Sequence, residues 1–120
     1  MTTAPINIKF FQKTRILEIK FDNGEKFNLP CEYLRVFSPS AEVKGHGFNE
    51  GKLISGKKNV NITNIEPVGH YAVRLLFDDS HKSGIYSWET LYELCKHHME
   101  YWNYYLQRLE LAGVSREPLS

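Results

Sequence analysis

The sequence predicts an α+β domain: a small antiparallel β-sheet with one short helix and one long C-terminal helix. Three observations carry this. Apolar and polar residues alternate over residues 15–29 and again over 60–77, the stretch PCEYLRVFSPS is a helical turn fenced by prolines, and three-and-four spacing persists from Trp88 to Leu109. At 120 residues the chain has room for one core. Residues 1–13 read as a flexible or edge segment, 14–112 as the domain, and 113–120 as a tail.

The elements follow in order. Ile6, Ile8, Phe10 and Phe11 point to a short edge segment after a frayed start. Leu17, Ile19 and Phe21 alternate with Glu18 and Lys20, Asp22-Asn23-Gly24 interrupts, and Phe27 and Leu29 resume the pattern. Asn23-Gly24 suits a type I′ hairpin turn, whose central residues need positive φ. Pro30 opens a two-turn helix carrying Tyr33, Leu34 and Phe37, and Pro39 stops it. Residues 40–59, with four glycines, read as a long surface loop. VNITNIEPV and HYAVRLLF are two strands bending near Val68-Gly69, with Tyr71, Val73, Leu75 and Phe77 toward the core. Pro67 belongs at a strand end or edge. Ile85 and Tyr86 form a short strand, Ser87 caps the last helix with Glu89 in its first turn, and Gly113 ends it. Some twenty-five helical residues would span roughly 37 Å, so Tyr101, Trp102, Tyr104, Tyr105 and Leu109 are expected to project as an interface.

Composition removes several classes. A formal net charge of +1 supplies no global field, and nucleic acid is not an expected partner. Cys31 and Cys95 are neither a disulfide framework nor a CxxC knuckle, which suits a reducing, cytoplasmic setting. The start MTTAPINIKFFQKT has no signal-like run, and no apolar stretch is long enough for a membrane span.

Metal ligation is the first chemistry to weigh. His46, His70, His81, His97, His98 and both cysteines carry donor atoms, but none has diagnostic spacing. His97 and His98 diverge by about 100° on a helix, and His98-Met99-Glu100 fails for the same reason. The stretch FDDSHKSGIYSW sets Asp78, Asp79 and Ser80 beside His81, where a carboxylate and an imidazole could share a cation. The same residues also make a turn by bonding their own backbone, and that reading outweighs the metal site. Its candidate ligands are His81, His46, Cys31 and Asp79. Cys31 at a helix start would have a lowered pKa, although a buried or capping thiol outweighs a nucleophile; Cys95 is core. The glycines of KGHGFNEGKLISGKK lack the phosphate-loop order, and Lys44, Lys52, Lys57 and Lys58 form a modest, solvated basic patch.

Three stretches, ILEIKFDNGEKFNL, CEYLRVFSPSAEVKGHG and VNITNIEPVGHYAVRLLFDDSHKSGIYSWETLYEL, resemble the gamma-butyrobetaine hydroxylase-like N-terminal domain family, also known as a bacterial domain of unknown function. The resemblance covers roughly residues 14–100. It implies a small β-rich accessory domain in front of an iron and 2-oxoglutarate oxygenase domain, with zinc held by three clustered cysteines and a histidine. His81 matches the histidine, but the cysteine places fall near Ser38, Ser40 and Val43, none a strong ligand. No oxygenase domain is expected in this chain. Similar domains fused to P-loop ATPases with iron-sulfur clusters imply, by analogy, a docking role near cluster assembly.

The expectation is therefore a non-catalytic binding or adaptor domain that works through residues 44–58 and the end of the last helix. Its expected partner is a protein: an iron-sulfur carrier ATPase, or a second copy through that helix. The alternative is a zinc- or iron-binding domain built on His81, His46, Cys31 and Asp79. An enzymatic reading would need a partner domain, and turnover with 2-oxoglutarate is expected to be nil.

Overall fold

The computed structural model describes residues 3–39, 53–79 and 84–117. Its elements are β1 (Pro5–Phe11), β2 (Ile16–Phe21), β3 (Lys26–Pro30), α1 (Cys31–Val36), β4 (Ile62–Val68), β5 (Ala72–Phe77), β6 (Gly84–Ser87), α2 (Trp88–Lys96) and α3 (His98–Ala112). The α+β class stands. The strands form two three-stranded antiparallel sheets, β1-β2-β3 and β4-β5-β6, rather than the expected single small sheet. Each sheet is a meander of neighbours in sequence, and α1 and residues 53–61 lie between them.

Period-two burial explains how both sheets feed one core. Leu17, Ile19 and Phe21 are fully buried on one face of β2, and Val73, Leu75 and Phe77 are buried likewise on one face of β5. Leu34, Tyr86, Leu91 and Leu94 close the cluster. Tyr71 is the exception to the predicted inward set. It lies in the β4–β5 turn before β5 starts, is 62% exposed, and packs its ring over Gly69, whose φ is +57°. Pro67 is exposed on β4, an edge strand among the described residues, as a residue without an N–H requires.

The first hairpin closes differently from the type I′ expectation. Residues 22–25 separate β2 from β3, Gly24 N–H donates to Phe21 O (3.0 Å), and Phe21 N–H donates to Glu25 O (2.8 Å). Only Gly24 takes positive φ there (+91°), so the turn is a longer hairpin loop ending in a left-handed glycine. Asn23 Oδ1 accepts from Glu25 N–H (3.0 Å), which holds Asn23 out of the left-handed region.

The predicted long helix is two helices. Ser87 caps α2 by accepting from Thr90 N–H (3.1 Å), as its sequence position implied. At His97 the backbone turns to φ −110°, ψ 25°, and α3 begins again. The break lets α3 lie on the body. Tyr105 and Leu109, expected on a projecting end, are 3% and 5% exposed and belong to the core. Tyr33 Oη donates to the Leu94 carbonyl (2.7 Å), satisfying one of the acceptors that the end of α2 leaves open. Gly113, at φ +69°, ends α3 with Gly113 N–H to Glu110 O and Val114 N–H to Leu109 O, a Schellman pair.

Candidate functional site

Of the metal candidates marked in the sequence, the two that are described, Cys31 and Asp79, lie at the corner where α1, residues 56–61 and the end of β5 meet. Pro30 precedes α1, whose helical phase brings Arg35 toward the end of β5. There Arg35 Nε reaches Asp79 Oδ2 at 2.7 Å, and Lys57 Nζ meets the same oxygen at 2.8 Å. Asp78 Oδ1 accepts from Asn61 N–H (3.1 Å), and Asn61 O accepts from Asp78 N–H (3.0 Å), which pins the corner. Gly56, Lys57, Asn59, Val60, Asp78 and Asp79 line a pocket of about 190 Å³. Its wall is charged and carries no activated nucleophile among the described residues.

Cys31 lies fully buried at the start of α1, its thiol 3.8 Å from Asn61 Oδ1. Burial pushes the thiol up to about 11, the opposite of the lowering expected from its position at a helix start. A six-residue helix adds little dipole against the loss of hydration. Burial likewise pushes Cys95 up to about 12. Both thiols stay protonated at neutral pH.

A metal at this corner would have to displace what already neutralises Asp79. That carboxylate faces two cations, and Cys31 resists forming the thiolate that zinc prefers. Ser38, which stands at one place of the zinc ligands implied by the resemblance, is 8% exposed, and its hydroxyl is engaged by Tyr86. The Tyr86 hydroxyl also donates to the Leu34 carbonyl. Ser38, the described member of the implied ligand set, does not fit a zinc ion, and no group of three or more His, Cys, Asp or Glu among the described residues could hold one. His46, His81, Ser40 and Val43 lie outside the described residues, as do Lys44 and Lys52 of the basic loop. Lys58 is described and pairs with Glu117 at 2.8 Å. Elemental analysis of untagged protein is expected to give zinc and iron well below one per chain. A stoichiometric metal lost in Asp79→Asn would overturn this.

The expected aromatic interface is divided. Tyr101 is half-buried and donates to Glu93 Oε2 (2.8 Å), and Trp102 packs edge-on against Tyr33 beneath Arg116, 5.2 Å above its ring. Only Tyr104 of the five is exposed. The sequence reading counted Met99 in the apolar spacing of the last helix, but it is 68% exposed, and passed over Leu111 (88%), which its position away from the buried stripe of α3 would have marked. It also passed over Arg116, whose Nε and Nη2 make paired bonds of 2.8 and 2.7 Å to buried Glu32.

His98 gives the fold a pH dependence. Its ring packs against Tyr33 with centroids 4.5 Å apart, and burial lowers its pKa from 6.5. The unfolded chain therefore takes the proton first. The stability is full above the unfolded pKa and falls as pH drops through it toward the folded value. Urea midpoints are expected to decline from pH 7 to about 5, and His98→Phe should flatten that slope. A wild-type profile already flat over this interval would exclude His98 as a source.

Comparison with known proteins places these features in a family. The description "Gamma-butyrobetaine hydroxylase-like, N-terminal" matches residues 8–92. A structure solved by NMR in solution is 54% identical over 99% of this chain and 89% of its own, with a TM-score of 0.84. A second NMR structure is 41% identical over 100% of this chain and 94% of its own, at 0.86. A crystal structure of a DUF971-family protein of unknown function from Acidithiobacillus ferrooxidans is 35% identical over 76% of this chain and 91% of its own, at 0.64. No curated protein matches. The chain belongs to the gamma-butyrobetaine hydroxylase-like N-terminal family.

Proposed function

We propose that this chain is a non-catalytic adaptor domain that docks a protein partner through the outward side of α3. The observation that carries the reading is the stripe Tyr104, Arg108, Leu111. Leu111 is 88% and Tyr104 38% exposed, and Arg108 lies over the Tyr104 ring at 5.9 Å. Positions four and seven apart share one helix face, and an aromatic, an arginine and a leucine in line are the side chains that protein interfaces concentrate. The anchoring is rigid, because the opposite side of α3 is locked by Tyr105, whose hydroxyl donates to Ile54 O at 2.6 Å. The match to a hydroxylase-like N-terminal family favours a module that works beside another folded unit.

An iron-sulfur carrier ATPase is the partner to test first. Calorimetry of the purified chain with such an ATPase is expected to show binding that Leu111→Glu weakens by at least about tenfold. No heat at tens of micromolar would remove that partner. A concentration-dependent dimer that Leu111→Glu disperses would assign the stripe to a second copy instead.

A further inference from the structure

We infer that the β1–β2 hairpin is a second binding surface, one that takes an extended acidic polypeptide strand along the edge of β1. It goes beyond the α3 reading, since it uses a different surface and a different chemistry.

The first observation is how the cations are distributed. Most Lys and Arg side chains in the described residues face a carboxylate, as Arg35 and Lys57 do at Asp79 and Arg116 does at Glu32, and Arg108 lies over Tyr104. Lys9, Lys13, Arg15 and Lys20 make no ion pair among the described residues, and all belong to this one hairpin. The chain as a whole carries only +1, and among the described residues the positive charge outside ion pairs is concentrated here.

Register places part of it on one face. Lys9 lies opposite Glu18, and Asn7 opposite Lys20, which in turn lies opposite Lys26. Ile8 and Phe10 point the other way and pack against the core, so Asn7, Lys9 and Lys20 share the outer face. The row Asn7, Lys20, Lys26 sets two ammonium groups side by side with no carboxylate in the row. Lys26 reaches diagonally to Glu18 at 3.8 Å, and Lys20 is left over. Like charges opposed across strands repel, and an acidic neighbour would relieve them.

The second observation is the edge. Among the described residues β1 pairs only with β2, so one side of a seven-residue strand offers unpaired N–H and C=O groups. Strand addition uses such an edge for affinity and alternate side chains for specificity. An incoming strand with acidic residues at every second position would set them beside Lys9 and within reach of Lys20. Its intervening apolar residues would lie beside the half-buried Ile8 and Phe10. The unpaired backbone edge favours a polypeptide over nucleic acid, which has no N–H and C=O ladder to offer it.

The probe is a capped decapeptide alternating Val and Glu, titrated into isotope-labelled protein and read by NMR, with a Val/Lys decapeptide and a ten-residue oligothymidylate as comparisons. Amides of residues 7–11 are expected to shift and to exchange more slowly with solvent. Reversing Lys9 and Lys20 to Glu should weaken binding by about tenfold, with core amides unmoved to show the fold intact. Raising salt should weaken it further. Shifts absent at millimolar Val/Glu peptide, insensitive to the reversal, or equally strong with Val/Lys peptide would overturn the proposal. Shifts produced by the oligonucleotide alone would assign the cations to phosphate and overturn it too. Because α3 is read separately through Leu111→Glu, failure here leaves the docking role of α3 standing.

Discussion

Gly84→Ala is expected to destabilise the fold by about 2–4 kcal/mol and to lower Tm by roughly 10 °C. A Cβ at residue 84 would lie 2.0 Å from Ser38 Oγ, and 3.3 Å from both Ser38 Cβ and Tyr86 Cε1. Neither side has room to retreat. Gly84 is buried and paired with Leu75 in the β5–β6 ladder, while Ser38 follows α1 and holds the Tyr86 hydroxyl. Rotating the Ser38 hydroxyl away would relieve the shortest contact but break that bond in a buried place, and the Cβ contacts would remain tight. Adding Ser38→Ala should therefore recover part of the loss, leaving the double variant about 1–2 kcal/mol more stable than the sum of the singles predicts. Urea unfolding of the four proteins decides it. A Gly84→Ala protein as stable as wild type would mean that β6 shifts freely against α1.

What the sequence showed, and what it hid, divides along the range of the forces involved. Ser87, Gly113 and the alternation through Leu17, Ile19 and Phe21 were legible because a cap, a left-handed stop and a strand period each act within a few residues. The separation into two sheets was not, because the alternation of a strand does not say which other strand it pairs with. The break at His97 has no glycine or proline to announce it, and the apolar spacing runs straight through. The contact made there is distant: Tyr33, 61 residues away from Leu94, takes its carbonyl, and beyond the bend Tyr105 and Leu109 lie in the core. The candidate site failed to be legible for the same reason. Asp79 looked like a ligand beside His81, but its charge is met by Arg35, 44 residues earlier, and by Lys57. The cations of the hairpin stood in view as Lys9 and Lys20 within alternating strands. Only the structure shows that neither closes an ion pair among the described residues.

Arg116→Ala is the second large effect, expected to cost about 2–3 kcal/mol, whereas Glu32→Gln should cost about 1. The pair is asymmetric in exposure: the side chain of Glu32 is 5% exposed and that of Arg116 38%. Removing the arginine leaves a carboxylate in the protein interior with no counter-charge. Removing the charge of Glu32 leaves a guanidinium that can turn to water, still lying over Trp102. Partial exposure of Arg116 keeps the larger figure below that of a fully buried pair. The same substitution loosens a short strap, because Gly56 N–H donates to Ser115 O and Lys58 N–H to Arg116 O, each at 3.0 Å. This strap ties the segment carrying Lys57 to the end of α3, so Arg116→Ala should also weaken the hold of Lys57 on Asp79. Amide exchange of residues 56–60 should then rise in Arg116→Ala and stay near wild type in Glu32→Gln. If the two variants lose equal stability and leave those amides equally protected, the strap is held by its backbone bonds and the ion pair is incidental to it.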